Sequence, residues 1–210
     1  MPPSETVTGT AASPSTPSRR DEHKSRTRQA LRQAALELFA AQGFDATTTE
    51  EIAERAGVSV RTFFRYFPTK ELVLFHGRYD FINTFAAGLR AQPESMTDFA
   101  AMREAFLASS PGFADRRKAL RLYERAVASS HTLRGREQIL QIDDVHTIAD
   151  AIAARRGDAK PDEECALLAA IGLLTYRRAL GRWLAGPESG DFADSIADEF
   201  DLLEGLFRAP

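Results

Sequence analysis

Side chains suited to nucleic-acid recognition are concentrated in one short segment near the N-terminus. Arg61, Thr62, Arg65 and Tyr66 occupy positions 61–66. An arginine side chain matches the paired acceptors that guanine presents in the major groove, and hydroxyl groups suit phosphate oxygens. The segment therefore favours DNA binding if a rigid element holds these side chains on one side. A solvated helix face is the alternative for the two arginines.

Signatures of other chemistries are missing from the sequence. It has no G-x-S-x-G, P-loop, dinucleotide fingerprint or H-E-x-x-H motif. The single cysteine, Cys165, excludes an internal disulfide framework, and no Cys/His spacing would close around zinc. We therefore expect no enzyme, no cofactor and no metal. An enzyme remains the alternative from a different class, which turnover of a substrate by the pure protein would support.

Local signals around the polar segment define three helices. Leu31, Ala34, Ala35, Leu38 and Phe39 recur at helical spacing, which predicts a first helix from about Arg26 to a C-cap at Gly43. Thr48 to Glu51 matches a capping box, which starts a second helix that runs to Ala56. Gly57 suits a left-handed turn and Ser59 suits the N-cap of a third helix, which ends at Pro68.

Two short helices joined by a tight glycine-containing turn form a helix-turn-helix, in which the second helix enters the major groove. Here that helix is Val60 to Phe67. Phe63 and Phe67 are four residues apart and so share one face, where they pack on the preceding helices. The polar side chains of 61–66 are then left to face outward.

The stretch GFDATTTEEIAERAGVSVRTFFRYFPTKELV, Gly43 to Val73, resembles the DNA-binding signature of the TetR family of transcriptional regulators, and actinobacterial members most of all. It covers the first quarter to third of the chain; the rest is similar only in length and helical character. The resemblance implies a one-component regulator, usually a repressor, that binds palindromic double-stranded operator DNA as a homodimer. It also implies release of the DNA by a small-molecule effector.

The same resemblance assigns roles to single residues. Thr48 contacts phosphate, Arg61, Thr62 and Arg65 approach the bases, and Tyr66 and Lys70 clamp phosphates. Phe64 departs from the family, which commonly has Tyr there, so this side chain is expected to make only apolar contact with sugar or a thymine methyl group.

The rest of the chain is predicted to be helical, without any strand. Breaks at Pro and Gly place helices at roughly 70–91, 97–109, 113–130, 134–156, 162–185 and 191–208. The fold class is therefore all-α, with a three-helix DNA-binding domain followed by a helical domain for effector binding and dimerisation. The predicted boundaries are 1–24 for a disordered tail, 25–70 for the DNA-binding domain and 71–210 for the second domain.

Composition agrees with a cytoplasmic protein that binds DNA through its N-terminal part. Residues 1–70 carry ten Lys/Arg and eight Asp/Glu, a net charge of +2, whereas residues 71–210 carry a net charge of −5. The Ser-, Thr- and Pro-rich start lacks the apolar stretch of a signal peptide. The longest apolar run, Cys165 to Tyr176, is too short to cross a bilayer, so no membrane partner is expected.

The last two predicted helices carry apolar faces that need a partner. The resemblance implies that they form a four-helix dimer interface; the alternative is a core within one chain. The residues predicted for the interface are Leu173, Phe192, Ile196, Phe200, Leu203 and Phe207.

Aromatic and Met side chains between the two ends of the chain suggest a site for an apolar effector, with arginines nearby for a carboxylate or phosphate. The candidates are Phe99, Met102, Phe106, Tyr123, His146, Tyr176 and Trp183, with Arg121, Arg125 and Arg177 as anion partners. A DNA-binding architectural protein without an effector is the alternative, and it would lack a cavity for a drug-sized molecule.

Overall fold

The described part of the chain is built from helices alone. A computed structural model describes residues 19–208, in which there are ten helices and no strand. The helices are α1 Arg19–Gln42, α2 Thr49–Arg55, α3 Val60–Tyr66, α4 Leu72–Phe75, α5 Arg78–Arg90, α6 Asp98–Ala108, α7 Phe113–Ser129, α8 His131–Arg156, α9 Glu163–Ala185 and α10 Phe192–Phe207. The all-α fold class expected from the sequence is confirmed.

The first helix begins earlier than the sequence pattern predicts. Residues 19–24, assigned above to a disordered tail, belong to α1, whereas the rest of that tail, residues 1–18, lies outside the described residues. The added turns are polar, and local contacts support them: Glu22 faces Arg26 at i, i+4, and the Thr27 hydroxyl donates to the His23 carbonyl at 3.0 Å. The spacing of apolar residues cannot predict where a helix starts when its first turns contain no apolar residue.

The helix predicted over 70–91 is divided in two. The short helix α4 ends at Phe75, and the chain turns at His76 and Gly77 before α5 starts at Arg78. Gly77 has φ +91°, a left-handed conformation that side chains with a Cβ rarely adopt. We call His76–Gly77 the corner, α1–α4 the head and α5–α10 the body.

The head has its own apolar core, which also rests on the body. Leu31 and Phe39 of α1, Ile52 of α2 and Phe63 of α3 are fully buried together. The same cluster continues through Val73, Leu74 and Phe75 of α4 to Ala126, Leu133 and Leu140 of α7 and α8. The core of the head therefore extends beyond the predicted boundary at residue 70, and α1 packs directly on α7.

The core of the body is dominated by stacked aromatic rings. Phe85 of α5 stacks on Phe106 of α6 with ring centroids 4.0 Å apart, and Phe106 stacks on Tyr176 of α9 at 4.4 Å. Phe200 of α10 closes the group at 5.9 Å from Phe106. Offset rings at these distances bury a large apolar area, so this stack joins four helices of the body.

Two buried arginines hold the loops of the body by capping carbonyl groups. Arg155 of α8 donates to the Pro93 and Met96 carbonyls at 2.5 and 2.6 Å and pairs with Asp98, which fixes the α5–α6 loop. Arg117 of α7 donates to the carbonyls of Trp183, Gly186 and Glu188 at the end of α9. Backbone carbonyls outside regular helices need hydrogen-bond donors from elsewhere, and these guanidinium groups are among the donors that hold the two loops.

Helix α6 approaches α9 closely at Gly172. A Cβ built on Gly172 would lie 1.9 Å from the Met102 sulfur, and Met102 itself is fully buried. The absence of a side chain at this position therefore sets the distance between the two helices.

Gly172→Ala should lower the free energy of unfolding by about 1–3 kcal/mol, because Met102 must leave its place in a filled core. Gly135→Ala is the matched control. Gly135 lies inside α8 with open space around its Cα, so alanine there should stabilise the helix by about 0.5–1 kcal/mol. Chemical denaturation measures both, and an unchanged stability for Gly172→Ala would contradict the close packing.

Candidate nucleic-acid interface and effector site

Side-chain caps fix the two short helices that could read DNA. The Thr48 hydroxyl accepts from the Glu51 amide at 3.2 Å, and the Glu51 carboxylate accepts from the Thr48 amide at 2.8 Å. The predicted capping box is confirmed, and its hydrogen bond from the Thr48 amide lowers the pKa of Glu51. At the next helix, the Ser59 side chain accepts from the Thr62 amide at 3.2 Å, as predicted. Each helix has only seven residues, so caps and packing must hold it.

The third helix divides into a buried and an exposed face, as the sequence predicts. Phe63 and Phe67 are 0% and 2% exposed, and their ring centroids lie 5.9 Å apart in the core of the head. Arg61, Phe64 and Arg65 are exposed. The exposed face of α3 thus offers two guanidinium groups on a rigid element.

The remaining side chains of this face are half-buried and have contacts inside the head. The Thr62 hydroxyl lies 3.0 Å from the Ser59 hydroxyl. The Tyr66 ring lies below two guanidinium groups, those of Arg28 at 5.8 Å and Arg65 at 5.3 Å. These cation–π contacts hold Tyr66 at the end of α3 beside a concentrated positive charge.

Lys70 occupies a structural position that the sequence does not reveal. Its ammonium group donates to the carbonyls of Phe44 and Thr47, both at 2.7 Å, and lies 4.1 Å from the centre of the Phe44 ring. The phosphate contact implied by the family resemblance remains a prediction, because two of the three ammonium hydrogens are already used inside the head. Lys70 therefore ties the α1–α2 turn to the end of α3.

The residues predicted for the effector site separate into two groups. Phe99, Met102, Phe106, Tyr176 and Trp183 all belong to, or pack against, the apolar core of the body. Tyr123, Arg125, His146 and Arg177 do not join it. His146 and Arg177 are exposed, Arg125 is on the outer face of α7, and Tyr123 packs in the core of the head.

Five further aromatic residues that were not predicted for the effector site belong to the body core or pack against it. These are Phe81, Phe85, Phe113, Phe192 and Phe200. Phe81 and Phe85 are spaced i, i+4 in the chain, a signal that could have placed them on one buried helix face. Burial raises the pKa of the Tyr176 phenol, which therefore stays neutral among these rings.

A groove on α7 lies next to this core. It has a volume of about 490 Å³ and is lined by Lys118, Arg121, Leu122, Arg125 and Glu188. Arg121 binds the Leu184 carbonyl at 2.9 Å and pairs with Glu188. Trp183 belongs to the body core, where its indole lies 4.4 Å from the Arg117 guanidinium and 5.1 Å from the Phe192 ring.

Tyr123 belongs instead to a half-buried charged network at the start of α5. Arg78 donates to Glu137 at 2.8 Å and to Asp144 at 2.5 Å, while the Tyr123 hydroxyl donates to Glu137. Burial acts to raise the pKa of Glu137, but the Arg78 charge and the Tyr123 hydrogen bond hold it below its ordinary value. Burial raises the pKa of Asp144. The network anchors α5 to α7 and α8 immediately after the corner.

Four of the six residues predicted for the dimer interface are covered within this chain. Leu173, Phe192, Ile196 and Phe200 are at most 6% exposed and lie in the core of the chain itself. Only Leu203, half-buried, and Phe207, 78% exposed, remain accessible. The exposed apolar side chains of the two last helices are instead Leu167 and Leu174 on α9 and Leu202, Leu206 and Phe207 on α10.

No described helix is both long enough and apolar enough to cross a membrane. Within residues 19–208, no group of His, Cys, Asp and Glu side chains could hold a metal ion. Cys165 is buried, and burial raises the pKa of its thiol.

The fold and the exposed face of α3 define a helix-turn-helix protein with a helical second domain. The sequence profile of bacterial regulatory proteins of the tetR family matches residues 31–76, and that of the MftR C-terminal domain matches residues 96–208. The chain therefore belongs to the TetR family.

Individual relatives agree with this membership. The chain is 41% identical to the HTH-type transcriptional regulator TcmR of Streptomyces glaucescens over 99 residues, which cover 47% of this chain but only 44% of that relative. It is 26% identical over 200 residues to a protein of Mycobacterium tuberculosis described as the mycofactocin biosynthesis regulator MftR, covering 91% and 96% of the two chains. These relatives are regulators and not enzymes.

A solved structure similar to this fold is that of FadR from Thermus thermophilus, a TetR-family transcriptional repressor in complex with lauroyl-CoA. It is 25% identical, with a TM-score of 0.53, and the match covers 87% of this chain and 98% of FadR.

Lys70→Met should lower the free energy of unfolding by about 2–3 kcal/mol, because it removes two charge-assisted hydrogen bonds to partly buried carbonyls. Arg61→Ala is the control: Arg61 is exposed, so its loss should change stability by less than about 0.5 kcal/mol. Denaturant unfolding of both variants distinguishes a structural lysine from a purely DNA-facing one. Equal stability of Lys70→Met and the wild type would remove the structural role.

Proposed function

We propose that this protein is a one-component transcriptional regulator, a repressor, that binds palindromic operator DNA as a homodimer in the cytoplasm and is released by a small, largely apolar effector. The observation that carries the proposal is the exposed face of α3. There Arg61, Phe64 and Arg65 project outward while Phe63 and Phe67 anchor the helix in the core. The chain belongs to a family of DNA-binding regulators, and this membership supports DNA as the partner of the exposed face.

Some residues on and around this face would contact bases, and others would contact phosphates. Arg61 and Arg65 are suited to guanine acceptors in the major groove, with Thr62 beside them, and Phe64 to sugar or a thymine methyl group. Thr48, Tyr66 and Lys70 surround the helix and are suited to phosphate oxygens, which position the protein without reading sequence.

Arg65→Ala and Arg61→Ala should each weaken binding to operator DNA by about 1–3 kcal/mol and relax the base preference at one position of each half-site. Both side chains are exposed, so the variants should fold normally. The DNA upstream of the protein's own gene is the first target, and Arg90→Ala, exposed at the far end of α5, is the control for lost charge. Unchanged affinity and preference in Arg65→Ala would exclude α3 as the reading helix.

We further propose that the dimer forms through the outer faces of α9 and α10. Leu167 and Leu174 lie two turns apart on α9, and Leu202 and Leu206 one turn apart on α10. The two faces adjoin because Glu199 of α10 binds Arg178 of α9 at 2.9 Å. Leu174 lies one turn before Arg178, and Leu202 one turn after Glu199. A second copy of the chain would cover this exposed apolar patch.

Leu174→Glu and Leu206→Glu should each yield folded monomers, because a charge would be buried in the apolar seam of the dimer but is harmless on a free surface. Ile142→Glu is the matched control. Ile142 is an equally exposed apolar residue, 58% exposed, but it lies on α8. Analytical ultracentrifugation should find monomers for the first two variants and a dimer for the third. Dimers in all three would place the interface elsewhere.

The effector would be amphipathic, with its apolar part among the rings of the body and its anionic part in the α7 groove. The similar FadR binds lauroyl-CoA, which has this combination of chain and phosphates. Met102 is the side chain best able to move aside for an apolar chain, because thioether side chains are unbranched and flexible. Lys118, Arg121 and Arg125 supply the positive charge for the other end.

Lauroyl-CoA should release the protein from its operator, and saturating operator should weaken lauroyl-CoA binding by the same factor, since coupling between two sites is reciprocal. Arg125→Gln should weaken lauroyl-CoA binding, whereas Arg90→Gln should not. Calorimetric titration with and without DNA measures the factor. Equal affinities in the two titrations would indicate a regulator controlled by its abundance alone.

A further inference from the structure

Arg28 and Arg32 of α1, near the corner, differ from the other arginines of the described chain that have a buried Nε atom. Among the described residues, the guanidinium groups of Arg28 and Arg32 form no hydrogen bond and no ion pair, and the Nε atom of each is buried. Arg28 does make a cation–π contact, with its guanidinium 5.8 Å from the centre of the Tyr66 ring. Four other arginines with a buried, unbonded Nε have terminal nitrogens bound to carboxylates or carbonyls: Arg78, Arg103, Arg117 and Arg155.

The surroundings of Arg32 add positive potential. Its Nη1 atom would lie 3.6 Å from a Cβ built on Gly77, which places the guanidinium beside the N-cap of α5. No side chain caps that helix, and the first amides of a helix carry partial positive charge. A cation beside a helix N-terminus is repelled unless an anion lies between them.

Two further basic groups on other elements act electrostatically on these arginines or experience their charge. Arg116 of α7 belongs to the body; burial and, next, the Arg116 charge lower the pKa of Arg32. His76 of the corner has its pKa lowered by burial and by the charges of Arg28 and Arg32. Asp80 in the first turn of α5 acts on His76 in the opposite direction, but it forms no described ion pair with either arginine.

We propose that the corner binds a phosphate group, held by Arg28 and Arg32 of α1, Arg116 of α7 and the amides at the start of α5. Guanidinium groups bind phosphate oxygens through paired, charge-assisted hydrogen bonds, and an oxyanion at a helix N-terminus accepts from its free amides. Because α1 belongs to the head and α7 to the body, the bound anion links the two. Its source is either inorganic phosphate or a phosphate monoester. This site is separate from the α7 groove and does not depend on the effector proposed above.

The test compares thermal unfolding and calorimetric binding of the full chain in inorganic phosphate and in chloride at equal ionic strength. Phosphate should raise the Tm of the wild type. Arg32→Gln and Arg116→Gln should each weaken phosphate binding about ten-fold or more, the loss expected for one charge-assisted contact. Arg90→Gln removes the same charge at the opposite end of α5 and should leave phosphate binding unchanged.

A second readout separates ligand binding from a structural role. In chloride, Arg32→Gln should be at least as stable as the wild type, because an unpaired cation is removed; in phosphate, the order should reverse. A variant that is less stable in both buffers by the same amount, or that responds to phosphate like the wild type, would overturn the proposal.

Two additional arms identify the source and exclude DNA. Tighter binding of glycerol phosphate than of inorganic phosphate would identify a phosphate monoester, and the reverse order would identify free phosphate; either order supports the site. If phosphate leaves the wild type unaffected while Arg32→Gln reduces the salt dependence of DNA binding, the cluster serves the DNA backbone and the proposal is wrong.

Discussion

The head depends on the burial of Phe63 and Phe67 on one face of a seven-residue helix. A helix of that length is unstable alone, because its nucleation cost exceeds what two turns of hydrogen bonds return. The two rings attach α3 to α1 and α2, and the Ser59 cap fixes where it starts. Only with this anchoring can Arg61 and Arg65 project from a rigid surface, which base reading requires.

The head also packs against α7 and α8 of the body, and these contacts set its orientation. Its core continues into α7 and α8, and α4 ends at a corner where Gly77 redirects the chain. Directly after the corner, Arg78 is fixed between Glu137 and Asp144 of α8. A displacement of α7 or α8 would therefore move the head, and the proposed effector in the body could change DNA binding by this route without contacting DNA.

The body combines two kinds of apolar surface with different uses. Inside, Phe106 stacks on Tyr176 and the tilted Phe200 ring packs beside Phe106, so that these rings hold α6, α9 and α10 together. Leu174 and Leu206 are exposed on α9 and α10, on the surface proposed for the dimer interface. Since α9 and α10 carry both surfaces, the proposed dimer interface and the inner core would share two helices, and a change in one could be transmitted to the other.

Local signals in the sequence predict those parts of the protein whose residues lie within a turn or two of one another. The capping box at Thr48, the cap at Ser59 and the i, i+4 spacing of Phe63 and Phe67 depend on residues a turn apart, so the helix-turn-helix and its outward face could be predicted. Periodicity also showed that Phe192, Ile196 and Phe200 share a buried face. It could not show whether that face is covered by the same chain or by a second one. In the structure, other helices of the same chain cover it.

The same limit applies to Lys70 and to the aromatic stack. The carbonyls that bind Lys70 lie more than twenty residues away in the chain, and the rings come from four helices. Such contacts are created only when distant segments pack, because burial depends on what covers a side chain and not on its own spacing.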